Sequence, residues 1–338
     1  MKFPVLINLL SLTLLCTVTF AENSDSVIRS NDRVALIGST LVERARLYGH
    51  LESSLHLAAG PDVQNVVFRN LGWSGDSVFG DSRAYFGTPE EGRDRLSKNI
   101  SEIKPTVVLF CYGAGEAMSV DQGWTNETAT EGRSADGLET SLQTFINGYQ
   151  HLINRVSESA GEGLREKIFI APPPLENHGG ALPDQTENNR RIGIFRDAIR
   201  DLAERNNGRF IDLFHALGGD EFDGSATSNP LTNNGLHYTE AGYRVLSREI
   251  VKGLGYAGPV VADEDDSSLA EFRKHIIEKN RLFFNRWRPT NETYLFLFRA
   301  HEQGQNAKEI PMYDPIIAEE EQLIAQARRQ VLTGQPKN

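Results

Sequence analysis

Hydroxyl, imidazole and amide side chains follow apolar runs of this sequence, and together they could activate a nucleophile. Ser39 and Thr40 come directly after the first apolar run, whereas Asn234 and His237 lie beyond the fifth. A hydroxyl becomes a strong nucleophile when an adjacent imidazole accepts its proton and a third group orients that imidazole. The residue types therefore suit nucleophilic catalysis. The competing interpretation is that Ser39 or Thr40 only caps the helix that follows.

Two Gly-rich segments, residues 70–76 and 112–116, follow the second and third apolar runs. The run Gly113-Ala114-Gly115-Glu116 is too short for a common phosphate loop and lacks its Lys. No group of His, Cys, Asp or Glu has the spacing of metal ligands, and residues 220–223 suit a solvated acidic turn better. The sequence therefore predicts neither a metal nor a cofactor.

The elements that must position these side chains alternate along the chain. Apolar, β-branched runs predict strands at residues 33–38, 63–71, 106–112, 167–171 and 209–214. Helical patterns lie between them, at residues 41–58, after a Thr88 cap, at 135–159 and at 187–206, and Thr239 caps a last one. This order predicts an α/β fold with a right-handed, doubly wound parallel sheet of five strands. Ligands of such sheets bind beyond the carboxyl ends of the strands, which is where the segments above fall.

The two ends of the chain differ from this sheet domain, which we assign to residues 22–258. Residues 1–21 carry Lys2, an apolar stretch and a small-residue exit, the layout of a cleaved secretory signal peptide. Residues 259–338 form a helical C-terminal extension that starts near the acidic linker 263–266, with helices at 269–287 and 316–332.

Aromatic residues of the extension follow two patterns. The helical spacing of Phe283, Phe284 and Trp287 predicts a stripe that docks the extension on the sheet domain. Tyr294, Phe296 and Phe298 alternate as in a short strand. The alternative interpretation is that this segment binds a protein partner, which the sequence does not identify.

Composition restricts the location and the partners. The leader predicts export to a periplasmic or extracellular space, and its removal leaves Cys111 as the single cysteine, so no disulfide forms within the chain. Loss of Lys2 changes the net charge from −11 to −12. Nucleic acid is therefore not expected as a partner, because it is a polyanion. Membrane insertion of the mature chain is not expected either, since no other apolar run is long enough to cross a bilayer.

The four polar segments, in this order over residues 33–254, resemble the four sequence blocks of the SGNH (GDSL-type) hydrolases. The resemblance implies the SGNH hydrolase fold, with its flavodoxin-like sheet, and acyl transfer on a small ester or acylated glycan. Thr40 aligns with the nucleophile, and Ser39 replaces it only if the turn shifts by one residue. His237 aligns with the base and Asn234 with its orienting group. Gly72 and Gly115 occupy the positions of oxyanion donors.

Three of these positions depart from the family pattern. Thr40 stands in place of Ser, Asn234 in place of Asp, and Gly115 in place of an Asn that would donate from its side chain. An Asn beside the catalytic His costs about 10⁴ in turnover in a serine triad, and one lost oxyanion donor costs about 10²–10³. Two hypotheses follow, a slow ester hydrolase and an SGNH-like binding or scaffolding module that has lost catalysis.

Further residues are assigned to the rim of the same site. Trp73 and Arg83 have the chemistry to hold a sugar or a carboxylate, and Glu116, Glu176 and Asn177 follow strands at the same edge. The chain as a whole, including residues 278–290 and 301–306 of the extension, also resembles the secreted SGNH-like proteins of planctomycete-type bacteria.

Overall fold

The computed structural model of the protein describes residues 26–120, 136–256 and 267–334. The signal peptide assigned to residues 1–21, the domain boundary at 258–259 and the acidic linker at 263–266 lie outside these ranges. Within them, no helix combines the length and the apolar character that crossing a bilayer requires.

Five parallel strands form one sheet in the order β2-β1-β3-β4-β5, which confirms the predicted flavodoxin-like fold. The neighbours β1 and β3 are almost completely buried, as expected for parallel strands that are covered on both faces. The strand order reverses at this pair, so the loops after β1 and β3 border the crevice in which such sheets bind ligands. The strands are β1 (Arg33–Gly38), β2 (Val67–Asn70), β3 (Val107–Cys111), β4 (Glu166–Ala171) and β5 (Arg209–Asp212).

Helices cover both faces of the sheet because alternate strand residues point to opposite sides. Ala35 and Ile37 pack with helices α3, α5 and α6, whereas Val34 and Leu36 pack with α1, α2 and α8. The helices of this domain are α1 (Thr40–Ala45), α2 (His50–Ala58), α3 (Pro89–Ile103), α4 (Ala114–Met118), α5 (Asp136–Ala160), α6 (Thr186–Arg205), α7 (Leu213–Ala216) and α8 (Glu240–Gly253).

The single helix predicted for residues 41–58 is wrong, because the chain breaks between α1 and α2. Gly49 adopts φ 68°, a left-handed conformation that ends one helix and lets the next begin at His50. Both predicted caps are confirmed. The Thr88 hydroxyl accepts a hydrogen bond from the amide of Glu91, and the Thr239 hydroxyl accepts one from Gly242.

The extension contains two long helices, as predicted, with short helical turns between them. They are α9 (Ser267–Trp287), α10 (Glu292–Leu295), α11 (Ala300–Gln303) and α12 (Tyr313–Thr333). The short strand predicted from Tyr294, Phe296 and Phe298 is wrong. The amides of Tyr294 and Leu295 both donate to the carbonyl of Asn291 and close a helical turn, so Leu295 is the buried residue.

The extension docks on the sheet domain through the predicted aromatic stripe and through a buried ion pair. Phe283 packs into the core beside α3, and Phe284 lies under the Arg46 guanidinium, 3.7 Å from the ring centre. Lys279 on α9 is fully buried, and its Nζ lies 2.6 Å from Glu52 Oε1 on α2. A buried charge without its partner is strongly unfavourable, so this pair ties α9 to α2.

We expect Lys279→Ala to lower the free energy of unfolding by about 3–5 kcal/mol, because it leaves the Glu52 carboxylate buried without a counter-charge. Denaturant titration measures the change. Lys274→Ala, an exposed Lys of the same helix, is the control and should change stability little. A similar small change for Lys279→Ala would contradict a tie through this pair.

The same pair predicts a loss of stability in acid. Burial opposes ionisation of Glu52, but the positive charge of Lys279 and the adjacent His56 hold its pKa at about 2, below the ordinary 4.5. A lowered carboxyl pKa stabilises the fold above pH 4.5, and this contribution disappears as the pH falls toward 2. We therefore expect Glu52→Gln to reduce the dependence of unfolding free energy on pH in this window.

Candidate active site

The turn after β1 presents Ser39 and Thr40 at the start of α1. Gly38 is required here, since a Cβ at this position would lie 2.5 Å from the Cys111 carbonyl oxygen. Ser39 is the N-cap of α1, but its side chain makes no capping hydrogen bond. Thr40 is the first helical residue, and its Oγ1 accepts a hydrogen bond from the Gly75 amide at 3.2 Å. That contact uses a lone pair and leaves the Thr40 hydroxyl proton free for transfer.

The loop after β2 packs directly on α1. A Cβ at Gly72 would lie 2.2 Å from the backbone nitrogen of Glu43, so only Gly permits this approach. The Gly72 amide donates to Asn70 Oδ1 at 2.9 Å, and Asn70 Nδ2 donates to the Val42 carbonyl. Gly72 is therefore not an open oxyanion donor in this arrangement, contrary to the sequence-based assignment. Among the described residues, no group accepts the backbone amide of Thr40, which leaves that N–H for an oxyanion.

Trp73 and Arg83 do not line a pocket, and their assignment as ligand-gripping residues is corrected. Arg83 is completely buried, with Nε 2.6 Å from Asp76 Oδ2 and Nη2 2.8 Å from the Leu71 carbonyl oxygen. The Tyr112 hydroxyl donates to the same Asp76 oxygen. This buried network fixes the conformation of the loop after β2.

Trp73 is buried between the sheet domain and the extension. Its ring meets Tyr85 and Trp287 edge-to-face, and the Arg288 guanidinium lies 3.6 Å from its ring centre. These two rings and the Arg288 guanidinium cover the Trp73 ring, so a sugar has no room to stack on it. Trp73 therefore links the extension to the site instead of touching a ligand.

The loop after β3 enters α4, where Gly115 and Glu116 have separate surroundings. A Cβ at Gly115 would meet nothing within 4 Å, so a side chain fits there although Gly offers none. Glu116 is buried, and its two carboxyl oxygens accept the amides of Val78 and Gly113, each at 3.0 Å. Burial raises the pKa of Glu116 to about 7. Glu116 thus joins the loops after β2 and β3 and does not line an open pocket, which corrects its assignment.

Asn234 holds His237 in a defined protonation state. Asn234 Oδ1 accepts the amides of Leu236 at 3.2 Å and His237 at 2.9 Å, which fixes the orientation of the side-chain amide. Asn234 Nδ2 then faces His237 Nδ1 at 3.4 Å. Because Nδ2 only donates, Nδ1 is the acceptor and the ring proton resides on Nε2. A base that receives a proton at Nε2 needs the opposite tautomer.

Glu176 and Asn177 support the loop that carries His237 through hydrogen bonds, and neither is free for a ligand. Glu176 accepts the amides of Leu231 and Thr232, both at 2.8 Å, while a Cβ at Gly235 would meet the Glu176 carbonyl oxygen at 2.5 Å. Asn177 is buried and donates to the Gly224 carbonyl at 2.7 Å. Their assignment to the substrate pocket is therefore corrected to loop support.

The His237 loop and the start of α1 lie on the same side of the sheet. The Tyr243 hydroxyl on α8 donates to the Leu41 carbonyl at 2.8 Å. Burial, and then the positive charge of Arg44 on α1, lower the pKa of His237, so its ring is neutral at neutral pH. Neither the Ser39 nor the Thr40 hydroxyl makes a hydrogen bond to His237. The structure thus brings the two loops together without closing the predicted nucleophile–base contact.

Sequence reasoning missed two residues of this region, Glu43 and Arg288. Glu43 Oε2 accepts the amide of Ser74 at 2.7 Å, and Arg288 Nη1 lies 2.7 Å from the same oxygen. The position of Glu43, one turn after Thr40 on the same predicted helix, was the sequence signal that places its carboxylate near the site. Nothing in the sequence paired Arg288 with α1.

Two further features of the described residues concern metal binding and cavities. No group of three His, Cys, Asp or Glu side chains there is placed to hold a metal ion. A cleft of about 510 Å³ opens between β2, α3 and the extension, with Arg69, Phe283 and Ile317 in its wall. It contains none of the candidate catalytic residues.

A model of the GDSL-like Lipase/Acylhydrolase family matches residues 37–245, more than half of the chain. This range contains both the Thr40 turn and the His237 loop. No curated protein matches the sequence.

Several solved structures share the fold at low identity. A gut microbial diltiazem-metabolizing enzyme is 18% identical with a TM-score of 0.50, over 69% of this chain and 48% of the enzyme, so this chain spans about half of its length. A catalytic mutant of an acetylxylan esterase from Geobacillus stearothermophilus is 17% identical with a TM-score of 0.47, over 68% and 97% of the two chains. An alpha/beta hydrolase from the metagenome of Lake Arreo, Spain, is 17% identical with a TM-score of 0.46, over the same shares. Likenesses at these identities describe the fold alone.

The buried Glu116 bridge predicts a pH-dependent stability. A carboxyl whose pKa is raised from 4.5 to about 7 contributes stability that is lost as the pH rises through that window. We expect the stability difference between the native protein and Glu116→Gln to shrink from pH 4.5 to pH 7. Urea titrations across this range measure it, with the exposed Glu204→Gln as control. A constant difference would contradict a titrating Glu116.

Proposed function

We propose an ester-hydrolase function for this chain, which belongs to the GDSL-like lipase/acylhydrolase family. The observation that carries the proposal is the hydrogen bond from the Tyr243 hydroxyl to the Leu41 carbonyl, which joins α8, the helix that follows the His237 loop, to α1. It supports the meeting of a hydroxyl from the β1 turn with an imidazole from the loop after β5. We expect the catalytic hydrogen bond between Thr40 and His237 to form when substrate binds, since such bonds are often long in the free enzyme.

In the proposed reaction, the Thr40 hydroxyl attacks the ester carbonyl carbon and His237 Nε2 accepts its proton. The amide N–H of Thr40 donates to the carbonyl oxygen as negative charge develops on it. The bond to the alcohol then breaks, and the alcohol leaves with the proton from His237. Water, deprotonated by His237, attacks the carbonyl carbon of the Thr40 ester. The bond to Thr40 Oγ1 breaks, the acid leaves, and the proton returns from His237 to Thr40 Oγ1.

The proposed enzyme is slow, and Asn234 is the main reason. The His237 tautomer that accepts a proton at Nε2 places Nδ1–H against the Asn234 amide N–H, so it is the minor form. The same wrong tautomer costs about 10⁴ in turnover in a serine triad. The missing side-chain donor at Gly115 adds to the loss, although such penalties do not sum.

The finer parts of the proposal rest on the sequence. We propose a small ester substrate, in the first place an acylated carbohydrate, because the SGNH resemblance implies one. The leader at residues 1–21 supports export to the periplasm or the medium. We also propose a domain boundary at residue 258 and a relationship to the planctomycete-type SGNH-like proteins. Binding of a protein partner by the extension is a further part of the proposal.

A second candidate function is a binding module without catalysis, and the Asn234 geometry favours it. With the ring proton on Nε2, His237 donates a hydrogen bond to a ligand oxygen in place of accepting a proton. Such a site would hold an ester or a glycan hydroxyl and leave it intact.

The two functions separate in a hydrolysis assay with p-nitrophenyl acetate and a fluorophosphonate label. We expect slow turnover and labelling by the mature protein, and a fall to the uncatalysed background in Thr40→Ala and His237→Ala. The exposed His151→Ala is the matched control and should keep full activity. Activity retained in Thr40→Ala and lost in Ser39→Ala would assign the nucleophile to Ser39. No turnover in the native protein would favour the binding module.

Restoring the family residues should restore the rate. In Asn234→Asp one carboxylate oxygen keeps the amides of Leu236 and His237, while the other accepts Nδ1–H and fixes the catalytic tautomer. We expect kcat to rise by up to about 10⁴-fold, and the acid limb of the pH profile to move upward because a carboxylate raises the His237 pKa. Gly115→Asn, which has open space for its side chain, should add up to about 10²–10³-fold. An unchanged rate in both variants would contradict the proposed site.

A further inference from the structure

Arg288, just beyond the end of α9, brings the extension to the candidate site. Its Nη1 lies 2.7 Å from Glu43 Oε2 on α1, and its guanidinium lies over the Trp73 ring, 3.6 Å from the ring centre. Both contacts are to the sheet domain, one to the helix that begins with Thr40 and one to the loop after β2. Arg288 therefore bridges the two segments that form the nucleophile's surroundings.

Glu43 passes this contact on to the loop after β2. The oxygen that accepts Arg288 also accepts the amide of Ser74 at 2.7 Å. The next amide, that of Gly75, donates to Thr40 Oγ1 at 3.2 Å. Arg288, Glu43 and the Ser74–Gly75 peptide thus form a continuous hydrogen-bonded path that ends on the proposed nucleophile.

The electrostatics favour a fixed path. The Arg288 and Glu43 side chains are 23% and 15% exposed, so water screens their attraction less than at an open surface. Arg288 also neutralises the one carboxylate in the first turn of α1, next to the place where an oxyanion would develop. An unneutralised carboxylate there would oppose that charge.

We propose that Arg288 is a positioning residue of the active site, which makes the C-terminal extension a part of the catalytic unit. Arg288 fixes Glu43, Glu43 fixes the Ser74 amide, and the Gly75 amide then sets the direction of the Thr40 hydroxyl. The role rests on the proposed hydrolysis, whereas the path itself is open to a test without substrate.

Hydrogen exchange of the Ser74 and Gly75 amides, followed by NMR, is the test without substrate. We expect Arg288→Ala to speed exchange of both amides by roughly tenfold or more, as for the loss of a hydrogen bond to a charged acceptor. Arg288→Lys keeps the charge but not the flat stacking on Trp73, and should restore part of the protection. Arg286→Ala is the matched control, because Arg286 lies on the same segment and pairs with Glu102 and Asp314, away from Thr40.

Ester hydrolysis provides the second measurement. A displaced Thr40 should lower kcat by roughly 10²-fold in Arg288→Ala, with KM and the acid limb of the pH profile unchanged, because Arg288 acts on the position of Thr40 and not on the substrate or on His237. Arg286→Ala should keep the native kcat. A Glu43→Ala, Arg288→Ala double variant should lose no more than Glu43→Ala alone, since both residues act on one path.

The outcomes separate the two proposals. Absent hydrolysis in the native protein together with faster exchange in Arg288→Ala would reject the enzyme and keep the positioning path. Hydrolysis with native exchange and native kcat in Arg288→Ala would reject the positioning role and keep the enzyme. If Arg288→Ala does not fold, Arg288→Lys decides, and native exchange and kcat in that variant would also reject the role.

Discussion

The close seating of the Gly72 backbone on α1 is the contact on which the rest of the site depends. No side chain fits between Gly72 and the Glu43 backbone, so the loop after β2 and the helix that starts at Thr40 meet with only main-chain atoms between them. This proximity brings the Gly75 amide to the Thr40 hydroxyl. The same packing turns the Gly72 N–H toward Asn70. One contact therefore both assembles the site and closes one of its donors.

The fold could be predicted from the sequence because its signals are local and agree with one another. Apolar runs mark the strands, the caps at Thr88 and Thr239 mark helix starts, and the right hand of parallel crossovers limits the ways in which the strands connect. The helix break at Gly49 was not predicted, because the apolar spacing continues across it, at Leu41, Ala45, Leu51 and Leu55. A single left-handed residue changes the chain direction without disturbing that periodicity.

The sequence indicated the edge of the sheet on which the candidate residues lie, but not their chemistry. The carboxyl ends of parallel strands share one edge, so Thr40 and His237 were expected there. The protonation of His237 depends on which atom of Asn234 faces the ring, and the amides of Leu236 and His237 decide that. Arg83 was misassigned because Asp76 and the Leu71 carbonyl hold it inside its own loop. Trp73 was misassigned because Trp287 and Arg288 cover it, and long-range pairing of this kind leaves no trace in composition or spacing.

The buried Lys279 has a consequence for association between molecules. Because β2 is the edge of the sheet and Val67 donates inward to Asp32, the neighbouring Phe68 carbonyl faces outward. Such an outward row is a template on which a strand from another molecule can pair. Lys279, on α9, donates a hydrogen bond from Nζ to the Phe68 carbonyl oxygen at 3.0 Å. The extension thus shields this edge from intermolecular strand addition, and a chain that lost α9 would expose a surface prone to aggregation.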